Sequence, residues 1–78
     1  MKEFDRSRLA RNLTHLHAAR GVKQADIAKA TGIHPQTIAN YEKGVSVPSY
    51  DAAWLIAEFY GVSIDALYSE SIDALVSN

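Results

Sequence analysis

Residues 23–44 read KQADIAKATGIHPQTIANYEKG. The order of small, flexible and branched residues in this stretch decides the fold. Ala28 is small, Gly32 follows one helical turn later, and Ile38 lies beyond it. Two short helices that cross steeply around a turn of about three residues need this order. The small side chain lets the two backbones approach, the glycine takes the tight turn, and the branched residue fills the gap between the helices. Residues 24–31 form the first helix of the pair. Pro35 suits the first position of the second, where its missing N–H has no helical partner. It also pushes His34 out of the helical region. The second helix therefore runs over residues 35–43, and Gly44 stops it.

The same signals extend outward. Leu9, Leu13 and Leu16 fall on one stripe of a helix over residues 5–20, ended by Gly21 in a left-handed cap. The loop VSVP, residues 45–48, leads to Ser49, which caps a fourth helix with Asp51 in its first turn and Gly61 after its end. Ser63 opens a short fifth helix, IDALY. No stretch alternates like a strand. The expectation is an all-α domain of five short helices, undivided over residues 1–78, with its core in residues 8–68 and a C-terminal extension at 69–78.

A chain of 78 residues buries only about 60% of its unfolded surface, so the core is marginal. It contains no cysteine, which removes disulfides and thiolate metal sites. Its longest apolar run, AAWLIA at 52–57, is far short of the roughly 20 residues that span a bilayer. The start, MKEFDRSR, is charged and leads into no apolar signal region, so a soluble cytoplasmic protein is expected. The net charge of −1 hides a strong polarity. Residues 1–44 hold all 8 Lys and Arg against Glu3, Asp5, Asp26 and Glu42, whereas residues 45–78 hold Asp51, Glu58, Asp65, Glu70, Asp73 and no base. A basic half suits a surface that faces phosphate, and a helix held out as a rigid probe suits the DNA major groove.

The chain resembles the phage-repressor-type helix-turn-helix family, the Cro/C1-like or xenobiotic-response-element group. The resemblance rests on Leu13, Leu16, Gly21, Gln24, Ile27, Ala28, Gly32, Ile33, Thr37, Ile38, Tyr41-Glu42-Lys43-Gly44, Pro48-Ser49, Ala57, Gly61-Val62-Ser63-Ile64-Asp65 and Leu67. It covers about residues 8–68 and implies a compact five-helix, lambda-repressor-like domain that binds double-stranded operator DNA as a homodimer. It also implies transcriptional regulation and no cofactor. Carried onto this sequence, base reading falls to Pro35, Gln36, Ala39 and Asn40. Phosphate contact falls to Lys23, Gln24, His34, Thr37, Lys43 and Gly44. Packing between the paired helices falls to Ile27, Ala28, Gly32, Ile38 and Tyr41. An amide such as Gln36 can bond adenine N6 and N7 together.

Four departures from the family pattern stand out. Lys23 and His34 replace the usual Ser or Thr caps, at an expected cost of about 0.5–2 kcal/mol each. The 45–48 loop lacks the basic residues many relatives place there, which argues for modest affinity. His17 stands where many members have an arginine that pairs with the glutamate matching Glu42, so a buried pair of His17 with Glu42 is expected. Helix 4 should turn Ala53, Ile56, Ala57 and Tyr60 inward, which leaves Trp54, Leu55 and Phe59 as excess apolar surface.

The sequence SIDAL occurs at 63–67 and again at 71–75. Ser71 can cap the second copy, whose Ile72, Leu75 and Val76 fall at the spacing of one helical stripe. A short sixth helix is the expectation there. With Trp54, Leu55 and Phe59 it supplies a candidate dimer interface through Ile72 and Leu75. The alternative function is a protein-interaction module, an antitoxin or adaptor with a protein partner such as a toxin. An enzyme is not expected: no nucleophile triad, carboxylate pair or metal-spaced histidine set occurs, and His15, His17 and His34 do not share a helical face.

Overall fold

Leu9, Leu13 and Leu16, with Ala10 and Asn12 beside them, form the buried stripe of the first helix, α1 (Arg6–Arg20), in a computed structural model that describes residues 6–69. Gly21 ends α1 at φ 63°, its N–H reaching the carbonyls of His17 and Ala18. Then follow α2 (Gln24–Thr31), α3 (Pro35–Lys43), α4 (Tyr50–Tyr60) and the single turn α5 (Ile64–Leu67). Gly32, Gly44 and Gly61 close α2, α3 and α4 in the same left-handed conformation, which a side chain would strain. No strand occurs among the described residues. The elements are those expected, except that α5 stops at Leu67 and Tyr68, expected in the helix, follows as its cap. The start of α1 expected at Asp5, and the sixth helix with Ile72 and Leu75, lie outside the described residues.

α1 packs on α3 and α5, α2 on α3 and α4, and α4 on α5. The shared core is Leu9, Leu13, Leu16, Ile27, Ile38 and Tyr41 from the first three helices, closed by Ala53, Ile56, Ala57, Tyr60, Ala66 and Leu67. α4 thus buries the stripe its periodicity announces. Leu16 and Leu67 are fully inaccessible, and burial of such a side chain contributes about 1.5–3 kcal/mol. A void of about 10 Å³, lined by Leu13, Ile27, Ile38, Tyr41, Glu42, Ile56 and Tyr60, lies at the centre. That is barely the room of one water, so the core is closely filled.

Two polar residues are also buried. Asn12 sends both Nδ2 protons to the end of α5, one to the Leu67 carbonyl at 2.9 Å and one to the Ser69 carbonyl at 2.8 Å. The Leu67 carbonyl ends a helix of one turn and Ser69 lies just past it, so the asparagine ties the C-terminal end of α5 to α1. Thr31 braces the turn between α2 and α3. Its hydroxyl donates to the Ile27 carbonyl at 2.7 Å and accepts from the Ile33 N–H at 3.2 Å.

Tyr60 is a weak point. Among the described residues its buried hydroxyl has no hydrogen-bond partner, and its ring meets Phe59 edge-on at 5.1 Å. Burial first, and then the Glu42 carboxylate, hold the phenol's pKa well above its ordinary value, against a smaller opposing effect of Arg20. Tyr60→Phe is therefore expected to keep or raise stability, by up to about 1 kcal/mol, because it removes an unsatisfied buried hydroxyl. The phenol keeps its proton longer in the fold than in the unfolded chain. Wild-type stability should accordingly be fully present below about pH 10 and fall as pH rises above it. The Phe variant should lose less. Urea midpoints at neutral and alkaline pH test this, and a clearly lower midpoint for the variant at pH 7 would oppose it.

Candidate nucleic-acid interface

α3 is built as a two-sided helix. Ile38 and Tyr41 point into the core, while Pro35, Gln36 and Lys43 are exposed and Ala39 and Asn40 half-exposed. The four residues expected to read bases therefore form the outer part of this helix, most open at its N-terminal turn. Of the residues expected between the paired helices, Ile27, Ile38 and Tyr41 are buried in the core and Ala28 packs against it half-buried. Gly32 stays exposed, since its part is the turn: its N–H reaches the Ala28 carbonyl at 2.8 Å.

The start of α3 corrects one expectation. His34 is not a lost cap. Its Nδ1 accepts the Gln36 N–H at 3.0 Å, satisfying one of the helix's orphan donors. An acceptor at Nδ1 places the ring proton of the neutral imidazole on Nε2. The imidazole thus does the work of a serine oxygen and still presents a donor. At α2, Lys23 has no acceptor to offer. The first turn is instead closed by Asp26, whose carboxylate takes the Lys23 N–H at 3.4 Å and sets a negative charge at the positive end of the helix.

Lys23, His34 and Lys43 are exposed, and Gln24, Thr37 and Gly44 half-exposed. Gln24 is the first residue of α2 and Thr37 lies in the first turn of α3. A Cβ added at Gly44 would meet Ala10 of α1 at 3.6 Å, an ordinary contact, so the positive φ of 77° rather than space favours glycine there. His17 and Glu42 meet between α1 and α3, His17 Nδ1 standing 2.9 Å from Glu42 Oε2 with both side chains largely covered. Thr14 Oγ1 reaches the Glu42 backbone carbonyl at 3.2 Å one turn earlier on α1. Together these contacts fix the roll of α3 about its axis.

Arg6 was not visible as a site residue in the sequence. Its guanidinium donates to the Val45 carbonyl at 3.4 Å, which brings a cation from the start of α1 onto the 45–48 loop. The loop's lack of basic residues is thus made good from 39 positions away. No local pattern marks that contact.

On α4, Trp54 is 47% and Tyr50 73% exposed. Leu55 is half-buried beside them, and Phe59 is half-buried against the core and Tyr60. An open groove of about 360 Å³ runs along Tyr50, Asp51, Trp54 and Leu55. Among the described residues no cluster of three or more His, Asp or Glu suits a metal ion. No described helix is long and apolar enough to cross a membrane.

The model of the family described as Helix-turn-helix (HTH_3) matches residues 18–67. The chain is 39% identical over 56 residues to an uncharacterized HTH-type transcriptional regulator, MJ0272, of Methanocaldococcus jannaschii, covering 72% of this chain and 85% of that one. It is 36% identical over 56 residues to the cryptic phage CTXphi transcriptional repressor RstR of Vibrio cholerae. The match spans 72% of this chain but only 50% of the repressor. No solved structure matches the chain significantly.

Proposed function

The chain belongs to the Cro/C1-type helix-turn-helix family of transcriptional regulators, and from that premise we propose that it binds a specific double-stranded operator with α3 lying in the major groove. The observation that carries this reading is the two-sidedness of α3. Its core side is locked by Ile38, Tyr41 and the Glu42 contacts, so its polar outer residues form a rigid row. Lys23, Gln24, His34, Thr37, Lys43, Gly44 and Arg6 flank that row as phosphate partners. Such contacts place a protein on the duplex, and base contacts then specify the site. The phage repressor among the relatives supports repression as the mode.

The test is binding to labelled duplex at several salt concentrations. Gln24→Ala and Lys43→Ala should weaken binding to all sequences alike, and Lys43→Ala should also reduce the salt slope by about 1. Unchanged affinity and slope in both variants would remove α2 and α3 from the phosphate surface.

The operator-bound form is a homodimer in this reading, because one helix reads few bases and two half-sites lie about 34 Å apart. Trp54, Leu55 and Phe59 supply its interface together with Ile72 and Leu75. The exposed Trp54 and Tyr50 support this, and so does the absence of basic residues from that half. A two-fold contact must be self-complementary, which leaves Asp51 and Glu58 at the rim. Deleting residues 70–78 should weaken dimerisation in sedimentation. Unchanged sedimentation and unchanged operator affinity would argue against the extension as part of the interface.

A further inference from the structure

Gln36 and Asn40 stand one turn apart on the outer face of α3, and Gln36 Nε2 donates to Asn40 Oδ1 at 3.2 Å. The Gln36 backbone N–H is already held by His34. The Asn40 backbone carbonyl is occupied by the Val45 N–H at 2.9 Å. The backbone at both positions is thus committed, and only the linked amides remain to meet a ligand.

The link decides what each amide has left. A primary amide carries one oxygen acceptor and two N–H donors. Gln36 spends one donor on Asn40, so it keeps one donor beside its oxygen. That is the complement of the major-groove edge of adenine, which offers N6–H and the N7 acceptor. Asn40 spends its oxygen on Gln36 and keeps both donors. Donors suit an acceptor edge, the O6 and N7 of guanine or the O4 of thymine, and oppose cytosine, whose N4 only donates.

The spacing fits two neighbouring bases. Residues four apart on a helix are separated by about 6 Å along its axis, almost two base steps. The hydrogen bond draws the two amide ends to 3.2 Å, close to the roughly 3.4 Å between successive bases of one strand.

We infer that Gln36 and Asn40 act as one reading unit for a dinucleotide step, an adenine next to a keto base. Asn40 then has two parts: it contacts the keto base, and it positions Gln36 on the adenine. The inference rests on the proposed DNA-reading role of α3 and goes beyond it by naming the step and the division of labour within the pair.

Site selection from a randomised duplex pool tests it, with the full chain and the Gln36→Ala, Asn40→Ala and Asn40→Asp variants. Wild type should enrich half-sites with adenine beside guanine or thymine, each preference being roughly 5- to 150-fold. Gln36→Ala should lose the adenine. Asn40→Asp keeps the oxygen that holds Gln36 but replaces donors by an acceptor. It should retain the adenine and exchange the keto base for cytosine, while binding more weakly overall. Asn40→Ala should lose the keto preference and also soften that for adenine. These positions are on the surface, so thermal melting should be little changed, and it serves as the control for folding. A wild-type consensus without the adenine–keto step, or a keto preference untouched in Asn40→Asp, overturns the paired readout and leaves DNA reading by α3 standing. A wild-type protein that enriches no sequence overturns both.

Discussion

Asn12→Ala is expected to lower stability by roughly 2–4 kcal/mol, from the loss of two net hydrogen bonds and the desolvation penalty of the acceptors left behind. The Leu67 and Ser69 carbonyls would each lose the Asn12 donor, the first in a buried setting and the second in a partly buried one. A domain of this length has about 4–12 kcal/mol of stability in all, so the variant would sit near its unfolding threshold. Urea denaturation followed by circular dichroism measures the loss. Asn12→Asp sharpens the test. A carboxylate cannot donate, and its charge would face two carbonyl oxygens, so it should cost more than alanine at neutral pH. Protonation would restore one donor, and the Asp variant should therefore recover stability as pH falls. An alanine variant with the wild-type midpoint would show that Asn12 does not hold α5 to α1.

Leu16→Ala should cost about 2–5 kcal/mol, the usual range for emptying a closely packed leucine site. Leu16 is fully inaccessible and belongs to the cluster joining α1 to the other helices. Trp54→Ala is the contrast. Trp54 is 47% exposed and lies outside the core cluster, so its removal should change the melting of a dilute sample far less than the loss of Leu16. Comparable losses at both sites in dilute protein would mean that the Trp54 face is part of the folding core.

The residues that read as punctuation were informative because their constraint is local. Gly21, Gly32, Gly44 and Gly61 each take a positive φ that other residues resist, and Pro35 can begin a helix but not continue one. The ends of α1 to α4 and the start of α3 follow from these five residues, and the inward stripe of α4 follows from periodicity alone. The outward row of Gln36, Ala39 and Asn40 is the complement of the buried Ile38 and Tyr41 on the same helix, so it too was legible. The meeting of His17 and Glu42 was expected only through resemblance to a family that pairs those positions, since no local rule joins α1 to α3.

The contacts that escaped the sequence share one cause: each depends on where a helix lies rather than on whether it forms. Arg6 reaches Val45, and Asn12 reaches Leu67 and Ser69, across separations of 39 to 57 residues. Nothing in a polar residue beside an apolar stripe tells whether it will meet solvent or an orphan carbonyl. His34 escaped for a different reason, because cap preferences are averages and the imidazole Nδ1 can replace a hydroxyl oxygen when the backbone places it over Gln36 N–H. The Gln36–Asn40 link is a rotamer choice, open to many side-chain arrangements on an isolated helix. By itself, then, the sequence determined five helices, most of their ends and their buried faces, since glycine, proline and apolar spacing act within a few residues. Only the tertiary structure decided which polar groups pair across those helices, because a hydrogen bond needs two partners placed within about 3 Å, and packing sets that distance.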